Sequence, residues 1–269
     1  MGLFSSEQPP TFASSSSSPA PPPSYQHPHP TSSFASTSKP LAPVYWALHL
    51  ASSDKLRLIG ADEQVRGIVD GVITSTWRNG VQQSKVYDQV SWEWKLRGYP
   101  WASYGPDTIP SVRLLLALFS SLSSAGYHLA VSLDLSMKAR DKDSLIFRSG
   151  VPTTRRWFAV SFVSWDKVQV MDAPDEAVRA AFVHAIRSTW PLGIQQEKAK
   201  DPSCYQLKLK GYPFSTSVGS EVNHARLLAC ALLATMDGLG YELVSSVDMR
   251  TGSGEDSTDL DTWFFASKV

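Results

Sequence analysis

Apolar and polar positions alternate over Trp46, Leu48 and Leu50, and again over Leu56 and Leu58, with Ser53-Asp54-Lys55 between the two runs. Period-two alternation marks a half-buried strand, and a short polar link makes two such runs a hairpin. The spacing then changes to threes and fours. Val65, Ile68, Val69, Val72 and Ile73 form one apolar stripe on a predicted helix, with Asp62 placed as its cap. A strand over 92–96 ends in Gly98-Tyr99-Pro100, where glycine admits a turn and proline cannot extend a ladder. A second helix, at about 111–121, is apolar most of the way round. Such a helix is expected to be buried on more than one side, between its own sheet and a neighbouring unit. Strands at 127–133 and 145–147 close the pattern.

The same order then occurs again. Phe158, Val160 and Phe162 alternate, as do Val168 and Val170, around Trp165-Asp166-Lys167. Val178, Ala181, Phe182, Ala185 and Ile186 form the helical stripe, with Asp175 in its first turn. A strand at 205–209, a helix at 221–236 and strands at 241–247 and 263–265 follow. Local motifs recur in register with the elements. Trp77-Arg78-Asn79-Gly80-Val81-Gln82-Gln83 returns as Trp190-Pro191-Leu192-Gly193-Ile194-Gln195-Gln196. Lys95-Leu96-Arg97-Gly98-Tyr99-Pro100-Trp101 returns as Lys208-Leu209-Lys210-Gly211-Tyr212-Pro213-Phe214, and Arg113-Leu114-Leu115 as Arg226-Leu227-Leu228. A repeat of this length is duplication of a whole folding unit. The expected fold class is therefore α+β: two tandem β-β-α-β-α-β-β units packed with pseudo-twofold symmetry. The boundaries are a tail at 1–43, a first unit at 44–149, a linker at 150–155 and a second unit at 156–269.

Composition narrows the function. The formal net charge is zero, which gives no electrostatic footprint for nucleic acid or a polybasic membrane contact. The two cysteines, Cys204 and Cys230, both lie in the second unit. They build neither a disulfide framework nor a zinc site, and they favour a reducing compartment. The most apolar run, 112–122, is broken by Arg113, Ser120 and Ser121, so no bilayer span is expected. With no secretory leader pattern at the start of the chain, a cytoplasmic location is expected.

The tail is rich in serine and proline and lacks apolar periodicity, so disorder is the expectation. Two short patterns in it carry chemistry. Met1-Gly2-Leu3-Phe4-Ser5-Ser6 fits N-myristoylation at Gly2, against which chance in a serine-rich segment is the plain alternative. One acyl chain gives only reversible, peripheral membrane association. Pro21-Pro22-Pro23-Ser24-Tyr25 contains Pro-Pro-x-Tyr, the type of ligand bound by WW domains, including those of HECT-type ubiquitin ligases. Pro22, Pro23 and Tyr25 would form the contact.

Within the units the matched polar residues are the candidates for a site. Asp134, Asp141 and Asp143, with Asp248, Asp259 and Asp261, suggest either cation binding or turn-capping and ion pairs. No calcium loop or spaced histidine accompanies them, so no metal site is assigned. Arg113 and Arg226 begin apolar helices, where the helix dipole disfavours a cation. Each then requires a carboxylate partner, expected among the aspartates of the closing strands. Trp77 and Trp190 are expected as core plugs rather than ligand-stacking groups, and the four matched glutamines as either backbone partners in a long loop or ligand contacts. No nucleophile elbow, phosphate loop or Cys/His pair in matched positions is present, and no motif calls for a cofactor.

Together, Trp-x-x-Gly-Ile-Gln, Lys-Leu-Lys-Gly-x-Pro-aromatic, Arg-Leu-Leu and Asp-x-Asp-Ser/Thr resemble a group of uncharacterised eukaryotic proteins, mostly fungal. In that group the same duplicated α+β unit follows a Pro/Ser-rich tail. The resemblance implies the architecture and brings no catalytic residues. Three functional readings follow: a non-enzymatic, monomeric adaptor whose tail binds a WW-domain protein; a small-ligand-binding protein or enzyme with its pocket between the units; and two units that mimic a homodimer with a binding outer surface.

Overall fold

The computed structural model describes residues 42–101, 105–135, 142–215, 219–249 and 261–269. In the first copy β1 (Tyr45–Ala51) and β2 (Lys55–Ile59) form the hairpin and α1 (Glu63–Thr76) follows. Then come β3 (Val81–Asp88), β4 (Ser91–Leu96), α2 (Thr108–Ser124), β5 (Tyr127–Leu133) and β6 (Ser144–Ser149). The second copy repeats this as β7 (Trp157–Ser164), β8 (Lys167–Met171), α3 (Glu176–Thr189), β9 (Ile194–Asp201) and β10 (Cys204–Leu209), then α4 (Gly219–Gly238), β11 (Tyr241–Val247) and β12 (Thr262–Ser267). Each copy makes one six-stranded antiparallel sheet, ordered β3-β4-β2-β1-β6-β5 and β9-β10-β8-β7-β12-β11.

The strand that the apolar pattern does not reveal is β3, with its counterpart β9. Every residue of β3 after Val81 is exposed, so the strand has no buried face to create alternation. Gln82, Gln83, Gln195 and Gln196 lie exposed on these edge strands rather than in a loop. Polar side chains on an edge discourage pairing with other chains.

Local chemistry sets the helix ends. Asp62 Oδ1 accepts the Val65 N–H at 2.9 Å, and Asp175 Oδ1 accepts that of Val178 at 3.0 Å. Asp175 is thus the cap of α3 itself, one position before the first turn. At the other ends Trp77 and Trp190 enter the core, 2% exposed each. Their ring nitrogens donate to the carbonyls of Arg97 and Lys210, both twenty residues on, at 3.0 and 2.9 Å. One indole therefore ties each helix end to the turn after the fourth strand.

Helix α2 lies between the two sheets. Leu114, Leu115, Leu118 and Leu122 are fully buried. Phe119 meets Phe147 of its own sheet on one side, and Trp157 and Phe264 of the second sheet on the other. The first core accordingly includes Ala159, Met171, Cys204 and Phe264, which lie on the face of the second sheet opposite its own helices. The layers run sheet, helices, sheet, helices. The linker is strapped to the end of α2, with Thr153 N–H donating to Ser123 O at 2.9 Å and Ser123 Oγ to Thr153 O at 2.8 Å.

The two α+β units are tandem and homologous, but the expected twofold relation is not kept in their contacts. A twofold axis would give matched residues matched surroundings. Leu114 is fully buried, whereas Leu227, at the same place in the repeated Arg-Leu-Leu, is 58% exposed. Helix α4 buries only Leu228, Leu232 and Met236, a single stripe against its own sheet. The contact is therefore one-way: α2 covers the second sheet, and α4 leaves the corresponding face open.

Candidate functional site

The polar centre of the junction is Arg113, projecting from α2. Its Nε donates to Asp172 Oδ1 at 3.0 Å, and its Nη1 and Nη2 reach Asp201 Oδ2 and Oδ1, both at 2.9 Å. The planar guanidinium matches the paired oxygens of Asp201, a geometry that lysine could not supply. Both carboxylates belong to the second copy, at the turn after β8 and the turn between β9 and β10. The expectation that Arg113 pairs with a closing-strand aspartate is thus corrected, because α2 faces the neighbouring sheet at that point.

Comparison with the first copy shows how this grip is built. Asp172 has φ +54° at the turn where the first copy has Gly60 at φ +73°. Both donate their N–H across to the next hairpin, Gly60 to Val90 O at 2.9 Å and Asp172 to Ser203 O at 2.7 Å. Aspartate tolerates the left-handed region better than most residues, so the carboxylate is gained at small backbone cost. Asp201 keeps the turn role of its counterpart. Its Oδ1 accepts Ser203 N–H at 2.9 Å, as Asp88 Oδ1 accepts that of Val90 at 2.9 Å. The hydrogen bonds from Arg113 hold the Asp201 carboxyl below the usual carboxylate range, and those from Asp201 raise the guanidinium further. Nearby, burial pushes the Cys204 thiol up to about 12, which leaves it a packing group.

Arg226, by contrast, is exposed, and among the described residues its hydrogen bond is to Val222 O at 3.2 Å. The matched aspartates also fall into place. Asp143 Oδ2 accepts Ser132 Oγ at 2.7 Å and the Asp248 N–H at 3.0 Å, joining the two copies beside β5 and β11. Asp261 Oδ2 accepts Ser246 Oγ at 2.5 Å. Asp134 is exposed at the end of β5. Asp141 and Asp259, and Gly2, Pro22, Pro23 and Tyr25 of the tail, lie outside the described residues. Among the described residues no cluster of His, Cys, Asp and Glu has the makings of a metal site.

A matched pair of clefts was not among the sequence candidates. At the start of α1, Arg66 lies 4.3 Å over the Trp92 ring and donates to Glu63 Oε2 at 2.7 Å. At the start of α3, Arg179 lies 4.6 Å over Tyr205 and donates to Glu176 Oε2 at 2.7 Å. These groups line clefts of about 270 and 460 Å³, which Asp88 and Asp201 respectively also border. The signal was present as Glu-x-x-Arg at the same place in both copies. Another cleft, about 670 Å³, lies beside Trp77, Asn79, Asp107 and Arg113, where Asn79 Nδ2 donates to Asp107 Oδ1 at 2.9 Å. Between the copies, a shallow cleft of about 420 Å³ is lined by His128, Arg148, Arg155 and Glu242 rather than by the matched aspartates and glutamines.

Fold and junction define a protein of two consecutive α+β domains of one kind, coupled in one direction. A sequence model of a single domain family matches the chain twice, at residues 44–148 and 156–266, and the chain belongs to that family. No curated protein and no solved structure matches it. Among the described residues no helix is long and apolar enough to cross a membrane.

Proposed function

We propose that the chain is a non-enzymatic adaptor, in which the paired domains form the body and the N-terminal arm carries the recognition segment Pro22, Pro23 and Tyr25. The observation that carries this reading is the employment of the matched polar groups. Trp77 and Trp190 bind their own backbone, Arg113 holds the second domain, and Asp143 and Asp261 bind serines of neighbouring strands. These five side chains are thus committed to holding the body together. Recognition then falls to the arm, where the proline run pre-sets an extended helix and Tyr25 supplies the anchor for an aromatic-lined WW groove. A HECT-type ubiquitin ligase is the proposed kind of partner. Acylation at Gly2 would add reversible membrane association to a cytoplasmic protein. Calorimetric titration of the full chain with an isolated WW domain is expected to give saturable binding that Tyr25→Ala removes. Binding unaffected by that change, or none by the wild-type chain, would refute the arm's role.

A second reading, a small-ligand-binding protein or enzyme, is favoured by the matched clefts in which Arg66 and Arg179 lie over aromatic rings. Stacked arginines beside carboxylates suit a polar, planar ligand, one per domain.

A further inference from the structure

We infer that the contact between the two domains is repeated between molecules: α4 of one chain seats on the outer face of the first sheet of a second copy, head to tail. The internal junction supplies the template, and each of its three parts has a counterpart, one side of it in the second domain and the other in the first.

The first part is the helix face. Helix α2 covers the second sheet, and α4 presents the equivalent face, with Leu227 58% exposed and Cys230 and Ala234 beside it in solvent. The second part is the sheet face that receives it. Under α2 lies Ala159, flanked across the strands by Met171 and Phe264, all fully buried. At the same register of the first sheet, Ala47 is flanked by Ile59 and Ile146, and these three remain partly exposed. The third part is polar. Arg226 occupies the position of Arg113, and exposed Asp88 occupies the turn position of Asp201. At the strand edges, Asp261 and Asp134 are the sequence counterparts of Asp143 and Asp248, which join the two copies. The exposed Arg226 on the helix face and Asp88 at the border of a sheet face that presents Ala47, Ile59 and Ile146 are complementary in charge.

Two differences set the strength. The counterpart of Asp172 is Gly60, so Arg226 would meet one carboxylate where Arg113 meets two. The buried Gln169–Gln206 hydrogen bond is replaced in the first sheet by the Arg57–Glu93 ion pair, 2.7 Å long and 23% and 3% exposed. Covering that pair requires desolvation, which further weakens the contact. The internal junction also benefits from the tether, which the contact between chains lacks. Association is therefore concentration-dependent. Because the interface is heterologous, it extends without closing unless the rotation between copies completes a ring.

Sedimentation velocity of the full chain over a concentration series tests this. The wild-type protein is expected to sediment progressively faster as concentration rises. Arg226→Asp and Asp88→Arg each place like charges across the contact, and each is expected to weaken association by about tenfold or more. The double variant Arg226→Asp/Asp88→Arg restores opposite charges and is expected to recover it. Recovery also separates a lost interface from a disturbed turn at Asp88. A monomer at every concentration would overturn the inference. So would a plateau at a dimer, as from two α4 faces pairing, association indifferent to the single reversals, or failure of the double variant to recover.

Discussion

Phe119→Ala is expected to destabilise the folded chain by about 3–5 kcal/mol, the range for losing a large aromatic from a packed core. The ring is 1% exposed and has aromatic neighbours on both sides. Phe264 lies edge-on at 4.9 Å, Trp157 at 5.7 Å and Phe147 at 6.1 Å between centroids. Its removal leaves a void bounded by both sheets, and neither can collapse without pulling on the other. The loss should therefore appear as uncoupling as well as destabilisation. Urea unfolding followed by tryptophan fluorescence is expected to change from one transition to two, with the first domain, which loses part of its own core, unfolding earlier. A single transition shifted by less than about 1 kcal/mol would mean that the ring is not the joint between the domains.

Trp77→Ala is expected to have a similar cost, about 3–5 kcal/mol, and Trp190→Ala the same in the other domain. Each change empties a core site and leaves a carbonyl, that of Arg97 or Lys210, without its indole donor. Trp77→Phe separates the two contributions. It retains most of the apolar ring and loses the hydrogen bond, so about 1–3 kcal/mol is expected. Denaturant midpoints of the three variants check this order. A Trp77→Ala protein as stable as the wild type would free the indole for ligand stacking and favour the second functional reading.

The sequence displayed most of the architecture because most of it rests on burial against one face. Alternation located β1, β2 and β4, and threefold and fourfold spacing located α1 and α3, since their side chains face a core. The same reasoning could not find β3 or β9, whose residues are almost all exposed and carry no periodic signal. The uniform apolar character of α2 announced burial on two sides. That of α4 was the same signal in a helix that buries one stripe, so pattern alone could not tell an occupied face from an open one.

The candidate site was less legible, for a different reason. Arg113 stood out because a cation at the start of an apolar helix calls for a partner, yet its partners depend on packing between domains. Asp172 and Asp201 have ordinary local roles, one at a turn and one capping a hairpin, and their pairing with Arg113 arises only in the folded chain. The substitution of Asp172 for Gly60 was visible as a mismatch between the copies, and such mismatches mark where the two domains have taken different roles. The Glu-x-x-Arg pairs were equally visible, but a charged pair on an exposed helix is commonplace until an aromatic ring is found beneath the arginine.

The one-way junction is tested most directly by comparing Arg113→Ala with Arg226→Ala in chemical denaturation, at a concentration where the chain is monomeric. The residues are equivalent in the repeat and differ only in surroundings. Arg113→Ala removes four hydrogen bonds to two partly exposed carboxylates, and with solvent screening a loss of about 1–3 kcal/mol is expected. Arg226→Ala removes an exposed side chain and is expected to change stability by no more than about 0.5 kcal/mol. Equal losses in the two variants would contradict the account, because they would mean that both domains hold their arginines alike.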